Sequence, residues 1–411
     1  MTENKFMIKS EILNKLQPRI NKVVSLIKQA IESKRPIWIR HHNDTDGYCA
    51  AIALERAILP LIHARQTKER DVFYHYSRLP SKAPYYDYAD ATKDVTNFMN
   101  RVTKFEAKPP MIIICDNGSS EQDIKAIKKV KIYGAKVIVI DHHPLCAEID
   151  KITDAHVNPH QVGSVYDISA GMLCAEIARK INSSSEGVNN MELIAAVAGI
   201  GDKVKSKELD AYIESCKKSG KEFEFLQDVA KCLDYEGSVL GFMEGRDIVN
   251  DLLGANEEKQ KKLLALIKPK LKNVRKQQLE TNKKYMVIEE LEKNRSIIVC
   301  RLEINKVRSF GSYPAAGATV GITQDYLVEK YKLKNKKVIS LGINKDQINF
   351  RCSREIKEFD VNEIIKILKN KLPYAQIDGG GHRVAGSINF VEAAKEEVIS
   401  IVEEYINKIK Q

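Results

Sequence analysis

Three short runs in the N-terminal half are apolar almost without interruption: RPIWIR (35–40), MIIICD (111–116) and AKVIVID (135–141). A strand that alternates apolar with polar residues can leave one face in water. A strand that is apolar throughout has to be covered on both faces. Between and after these runs, apolar residues recur at helical spacing. Ile12, Leu13, Leu16, Ile20, Val23, Val24, Leu26, Ile27 and Ile31 do so over 8–33, which predicts an amphipathic helix broken near Pro18. GYCAAIALERAIL (47–59), EQDIKAIKKVKIYG (121–134), SAGMLCAEIARKI (169–181) and NMELIAAVAGIGD (190–202) predict further helices. Apolar strands alternating with helices make an α/β protein with a doubly wound, mainly parallel sheet.

The pattern changes after residue 205. Residues 206–293 are charged and largely helical, and 257–284 carry a basic stretch without glycine, expected as a helical connector. β-type runs return at RSIIVCRLEI (295–304), ATVGI (318–322), KVISLGI (337–343), QINFRCS (347–353) and SINFV (387–391), with helical patterns at 361–372 and 392–410. Three segments are therefore expected: a larger α/β domain over 1–205, the connector over 206–293, and a smaller α/β domain over 294–411.

No apolar run approaches the roughly 20 residues of a membrane span, and MTENKFMIKSEIL lacks the apolar centre of a secretory signal. A soluble cytoplasmic protein, with no membrane partner, is expected. The eight cysteines form no Cys-x-x-Cys pair, which argues against a zinc ribbon or a disulfide scaffold. The net charge of +11 suits a polyanionic partner.

The chemistry gathers at strand ends. HNDTDG (42–47) offers His42, Asp44 and Asp46. Asp116 closes the second run, and Asp141, His142 and His143 close the third. Parallel strands of one sheet place such ends side by side, where open α/β sheets build their sites. Converging carboxylates raise one another's pKa, and burial adds to the cost. A divalent cation supplies the counter-charge locally. Mixed imidazole and carboxylate ligation without thiolate points to Mn²⁺, with Mg²⁺ as the alternative, and the donors suffice for two ions. Each motif alone has a plainer reading: Asp-x-Asp-Gly as a turn, an Asp after an apolar strand as a helix cap. Recurrence at three strand ends favours the metal. His41 should face away from its neighbour His42 if the strand persists. His63, His75 and His156 fit no motif, and His160 reads as a surface residue.

Taken in order, HNDTDG (42–47), ICDNGSS (114–120), VIDHHP (139–144), GIGD (199–202) and DGGGHRVAGS (378–387) resemble the DHH phosphoesterase family, and within it the RecJ-like nucleases, the archaeal ones above all. The resemblance implies a DHH catalytic domain followed by a DHH-associated substrate-binding domain. It implies two Mn²⁺ ions held by His42, Asp44, Asp46, Asp116, His142 and Asp202, with Asp116 as the bridge. His143 would face the scissile phosphate, completing a catalytic set of Asp44, Asp46, Asp116, His142, His143 and Asp202. Asp141 is better placed to orient a neighbouring imidazole. Asp202 rests on the resemblance alone, since GIGD otherwise passes for a helix end. Asn158 and Pro159 match an Asn-Pro pair that follows the third motif in the family. Gly379, Gly380 and Gly381 could bring backbone N–H groups close to a phosphate, with His382 donating beside them. Arg351 and Ser353 match a stretch that lines the family's substrate cleft.

Eight Lys and Arg residues between Lys259 and Lys276 could line a channel for a nucleic-acid backbone. The expected activity is an exonuclease that degrades single-stranded DNA or RNA to mononucleotides, leaning to 3′→5′ polarity. A nano-RNase, a cyclic-dinucleotide phosphodiesterase and a partner-binding subunit of a replication or repair helicase complex are the alternatives.

Overall fold

The computed structural model describes residues 5–65, 72, 74–81, 83–105, 108–184, 188, 190–240, 246–292, 294–307 and 313–409. The chain forms two compact units, residues 1–268 and 269–411.

The first unit opens with helix α1 (Glu11–Glu32) and strand β1 (Ile37–His41). Helix α2 (Thr45–His63), strand β2 (Tyr76–Pro80), helix α3 (Tyr88–Phe105) and strand β3 (Met111–Cys115) follow. Next come α4 (Ile124–Ile132), β4 (Lys136–Ile140), α5 (Ala147–Ile152) and β5 (Ala155–Val157). The five strands pair in parallel in the order β2-β1-β3-β4-β5. This is a doubly wound order whose direction of winding reverses between β1 and β3.

Alternate residues of each central strand enter opposite cores, as period-two geometry requires. Ile37, Ile39, Ile113, Ile138 and Ile140 pack with α1, α2, α6 (Ala170–Ile181) and α7 (Met191–Gly201). Trp38, Ile112, Ile114, Val137 and Val139 pack with α3, α4 and α5. α1 runs unbroken through Pro18, contrary to the expected interruption. Leu13, Leu16, Ile20, Val23 and Ile27 stay buried along one stripe, and that packing outweighs the hydrogen bond proline cannot make.

Helices α8 (Lys207–Lys218), α9 (Phe223–Leu240) and α10 (Arg246–Leu252) enlarge the first core through Leu209, Tyr212, Leu226, Val229, Leu233 and Val249. The helical stretch expected as a separate connector is thus shared between the two units. Their boundary falls within the basic helix α11 (Glu257–Tyr285), between Lys268 and Pro269.

The second unit holds a six-stranded mixed sheet. Its strands are β6 (Met286–Leu291), β7 (Asn294–Glu303), β8 (Lys337–Ile343), β9 (Gln347–Cys352), β10 (Asp378–His382) and β11 (Ala385–Asn389), in the order β10-β11-β9-β8-β7-β6. β7 and β8 pair in parallel, and the crossover they need is a helix, α12 (Ala316–Tyr331). The strand expected at ATVGI (318–322) lies inside it. Thr319, Val320, Thr323 and Leu327 are buried at helical spacing, so the short β-branched run belongs to a helix face. Helices α13 (Val361–Lys371) and α14 (Lys395–Ile406) complete the unit. No helix among the described residues is long and apolar enough to cross a membrane.

Candidate metal centre

His41, Cys115 and Ile140 are register partners across β1, β3 and β4. The residues that follow them, His42, Asp116 and Asp141, therefore leave the sheet side by side. Their main chains continue the ladder for one more step: the N–H of His42 donates to Cys115 O (3.3 Å), and that of Asp116 to Ile140 O (3.0 Å). The point is the crevice beside the β1/β3 reversal, where this topology places ligands.

His42 Nδ1 lies 2.8 Å from Asp44 Oδ2 and 3.5 Å from Asp116 Oδ2. Asp44 caps α2 and accepts from the Gly47 N–H at 2.9 Å, which leaves its second oxygen for the cleft. Asp116 is 1 % exposed and sits at φ 58°, a left-handed conformation uncommon outside glycine. Its Oδ1 is 3.1 Å from His142 Nε2. His142 in turn lies 3.7 Å from Asp46 Oδ2 and, through Nδ1, 3.8 Å from Asp202 Oδ2 at the end of α7. All six expected ligands are thus joined by a chain of close contacts. His42, Asp44 and Asp116 can each present one ligand atom within 4.8 Å of the others. Asp116, Asp141, His142 and His143 do the same, so Asp116 belongs to both sets.

Asp141 faces inward. It accepts from the main-chain N–H groups of Ser119 (3.1 Å), His142 (2.7 Å) and His143 (3.3 Å), and its Oδ1 is 2.8 Å from His143 Nδ1. It orients the loop and the His143 ring. His41 is buried on the other side, with its ring 4.8 Å from Tyr48, and burial together with Arg78 pushes its pKa down to about 3.

Two features of the site could not be read from the residues alone. Asp46 is held by the Ser169 hydroxyl (2.6 Å) and by the N–H groups of Ala170 (2.9 Å) and Gly171 (3.0 Å) at the start of α6. His156 and Asn158 lie behind the His142–His143 loop, buried and joined through Ser119.

Burial opposes charge on His42 and His142, yet the surrounding carboxylates outweigh it and raise both imidazoles well above their usual value. Burial also raises Asp46, and the charge of Asp116 pushes it further. Against the same burial, His42 holds Asp44 well below the carboxylate range. The residues share protons where a cation could replace them. Asp116 Oδ2 and His42 Nδ1 are buried without a directed hydrogen bond among the described residues. Oxygen and imidazole donors with two such atoms left over fit divalent cations.

The sign of the pH response follows. Cation binding must expel protons from His42, His142 and Asp46, so affinity rises with pH. Mn²⁺ titrated calorimetrically in two buffers of different ionisation enthalpy should report proton release near neutrality. As the pH is lowered through this range, affinity should fall roughly tenfold per pH unit for each proton released. A pH-independent affinity would contradict the protonation pattern.

In the second unit, DGGGH forms β10 against β11 rather than an open turn. A Cβ on Gly379 would stand 2.2 Å from Ser387 O, and one on Gly381 2.5 Å from Ala385 O. Close strand approach therefore explains two of the three glycines. Arg351 lies on β9, and a Cβ on Gly317 of α12 would come 3.3 Å from its Nη2. Ser353 Oγ accepts from the Val338 N–H at 2.9 Å, which ties it to the sheet.

The fold and the six converging side chains define a class: a doubly wound α/β protein with a cluster of carboxylates and imidazoles at its switch point that could hold metal ions. The N-terminal domain model of the DHH family matches residues 36–200. The uncharacterized protein MJ1198 of Methanocaldococcus jannaschii is 38% identical over 429 residues, covering 98% of this chain and 56% of that protein. The chain thus spans little more than half the length of its curated relative. The DHH domain of a protein described as a member of the s1p family of ribosomal proteins has 35% identity and a TM-score of 0.93, with 99% of this chain and 94% of that one covered. RecJ from Thermus thermophilus in complex with Mn²⁺ shares the fold at TM-score 0.60 and 13% identity, covering 94% of this chain and 54% of RecJ. The chain belongs to the DHH family, and its fold is RecJ-like.

Proposed function

We propose that this chain is a Mn²⁺-dependent phosphodiesterase that degrades single-stranded DNA or RNA to mononucleotides from one end, in DNA repair, replication or RNA turnover. The observation that supports this most is Asp116, common to two adjacent donor sets at the strand ends. Two cations held there, by His42, Asp44, Asp46, Asp116, His142 and Asp202, would supply the positive charge that makes water nucleophilic and neutralises the leaving oxygen. The residues do the rest. Asp116 spans both positions, Asp46 is clamped by the start of α6, and Asp141 fixes the His143 ring toward the phosphate. Gly379, Gly380, Gly381, His382, Arg351 and Ser353 are proposed to hold the strand. The +11 charge and the basic helix α11 suit a phosphate backbone. A replication or repair helicase complex is the proposed protein partner.

Purified protein should shorten single strands labelled at either end in Mn²⁺, lose the activity in a chelator, and regain it with Mn²⁺ or more weakly with Mg²⁺. Ladders from 3′- and 5′-labelled DNA and RNA read polarity, with 3′→5′ expected, and sugar preference together. Rapid cleavage of dinucleotides with a steep loss on longer strands would replace this reading with a nano-RNase or a cyclic-dinucleotide phosphodiesterase. Inertness on every strand would replace it with a partner-binding subunit.

A further inference from the structure

We propose that His156, on β5, is a positioning residue of the metal centre, acting through a directed hydrogen-bond relay to the His142–His143 loop. This rests on the metal reading above. Asp150 Oδ1 lies 3.0 Å from His156 Nδ1, and Ser119 Oγ 2.9 Å from His156 Nε2. Asn158 Nδ2 donates to Ser119 Oγ (3.0 Å) and to the main-chain oxygen of His143 (2.9 Å). His156 is 4% exposed, while Ser119 and Asn158 are fully buried.

The protons follow from one end. An ionised carboxylate only accepts, so Asp150 places the proton on Nδ1. A neutral ring then leaves Nε2 as an acceptor, and the Ser119 hydroxyl has to donate to it. Its lone pairs are thereby free to receive one amide hydrogen of Asn158. The other amide hydrogen goes to His143. Burial lowers the His156 pKa, which keeps the ring neutral. Reversing the ring would set a bare Nδ1 against the Asp150 carboxylate, and reversing the Asn158 amide would set its oxygen against His143 O, an acceptor facing an acceptor in each case.

The relay matters because of where Ser119 and Asn158 sit. The Ser119 N–H holds Asp141 Oδ2 at 3.1 Å, and Ser119 O accepts from the Cys146 N–H at 2.7 Å. One serine therefore pins both the residue that orients His143 and the far side of the loop. Asn158 pins its middle. At the outer end Gln161 Nε2 donates to Asp150 at 2.8 Å, and Arg19 lies 3.5 Å away. A half-exposed carboxylate on α5 is thus connected, without a break, to the main chain of the ligand loop. Removing His156 leaves the buried Ser119 hydroxyl hydrogen without its acceptor and loosens the side chain against which Asn158 is set, so the loop can drift from the positions its side chains need. Groups that orient ligands in this way typically govern ten- to hundredfold of metal affinity.

His156→Leu and Ser119→Ala should each weaken Mn²⁺ binding, followed by electron paramagnetic resonance, by roughly ten- to hundredfold. They should lower kcat on oligonucleotides more than they raise KM. His156→Gln can present an acceptor where Nε2 stands, and should recover most of the affinity. Thermal melts identify any variant that fails to fold, and ¹⁵N shifts of the native His156 ring should show the Nδ1–H tautomer. Variants that fold and bind Mn²⁺ like the native protein, or an Nε2–H ring, would overturn the relay alone. Native protein that binds no Mn²⁺ would overturn the metal reading and the relay with it.

Discussion

If the proposed reading holds, Asp116→Asn should lose Mn²⁺ from the shared position and lower strand cleavage by roughly a thousandfold or more, on the scale seen when one member of an interdependent catalytic set is removed. Asparagine is the cleaner probe than alanine. The position sits at φ 58°, where asparagine is tolerated and alanine adds strain of about 1–2 kcal/mol. The asparagine side chain would keep the shape and one oxygen, but lose the charge and the second ligating oxygen that let Asp116 serve both donor sets. Mn²⁺ stoichiometry should fall from two to one or none, and activity should not return at saturating Mn²⁺. Near-native turnover with two ions bound would remove the bridge from the proposed mechanism.

Gly47→Ala strikes the same centre through the backbone. A Cβ at Gly47 would stand 2.2 Å from His42 O, 2.8 Å from His42 C and 2.9 Å from His42 N. These are main-chain atoms at the end of β1 and cannot rotate aside. The first turn of α2 has to back away, breaking the Gly47 N–H bond to Asp44 and carrying Asp46 from the His142 ring. A misplacement of about 1 Å at a reacting centre costs on the order of a hundredfold in rate. Gly47→Ala should therefore lose about that much activity and a comparable part of its Mn²⁺ affinity, read from kcat/KM and a titration. Unchanged kinetics would mean that the loop between β1 and α2 is softer than its contacts indicate.

Legibility followed range. The parallel sheet could be read because β1, β3 and β4 are apolar on both faces, a pattern few other architectures demand. The candidate donors, Asp202 apart, could be read because each strand end carries them within a few residues; Asp202 closes a helix and rested on the family resemblance. β2 and β5 were missed: YSRLP (76–80) mixes polar with apolar residues at a sheet edge, and Ala155–Val157 is only a short bridge to β4. ATVGI misled because a short β-branched run has no period of its own. The clamp on Asp46 was illegible for another reason. Ser169 lies 123 positions away, and nothing in a serine before a helix says which carboxylate it will meet. His156 likewise gains its setting from Ser119 and Asp150, which only the folded chain brings together.

The parallel register has a practical side. Because the donors leave one end of the sheet, the opposite end is available for probes. Lys34 and Lys108 are exposed in the turns that enter β1 and β3. Five-residue strands at about 3.3 Å per residue put these turns roughly 16 Å from the donors. Seven of the eight native cysteines are buried and Cys146 is half-buried, so a new thiol at Lys34 or Lys108 would be the most accessible one. A nitroxide attached there would read Mn²⁺ occupancy through paramagnetic broadening, with no label on the ligand loops.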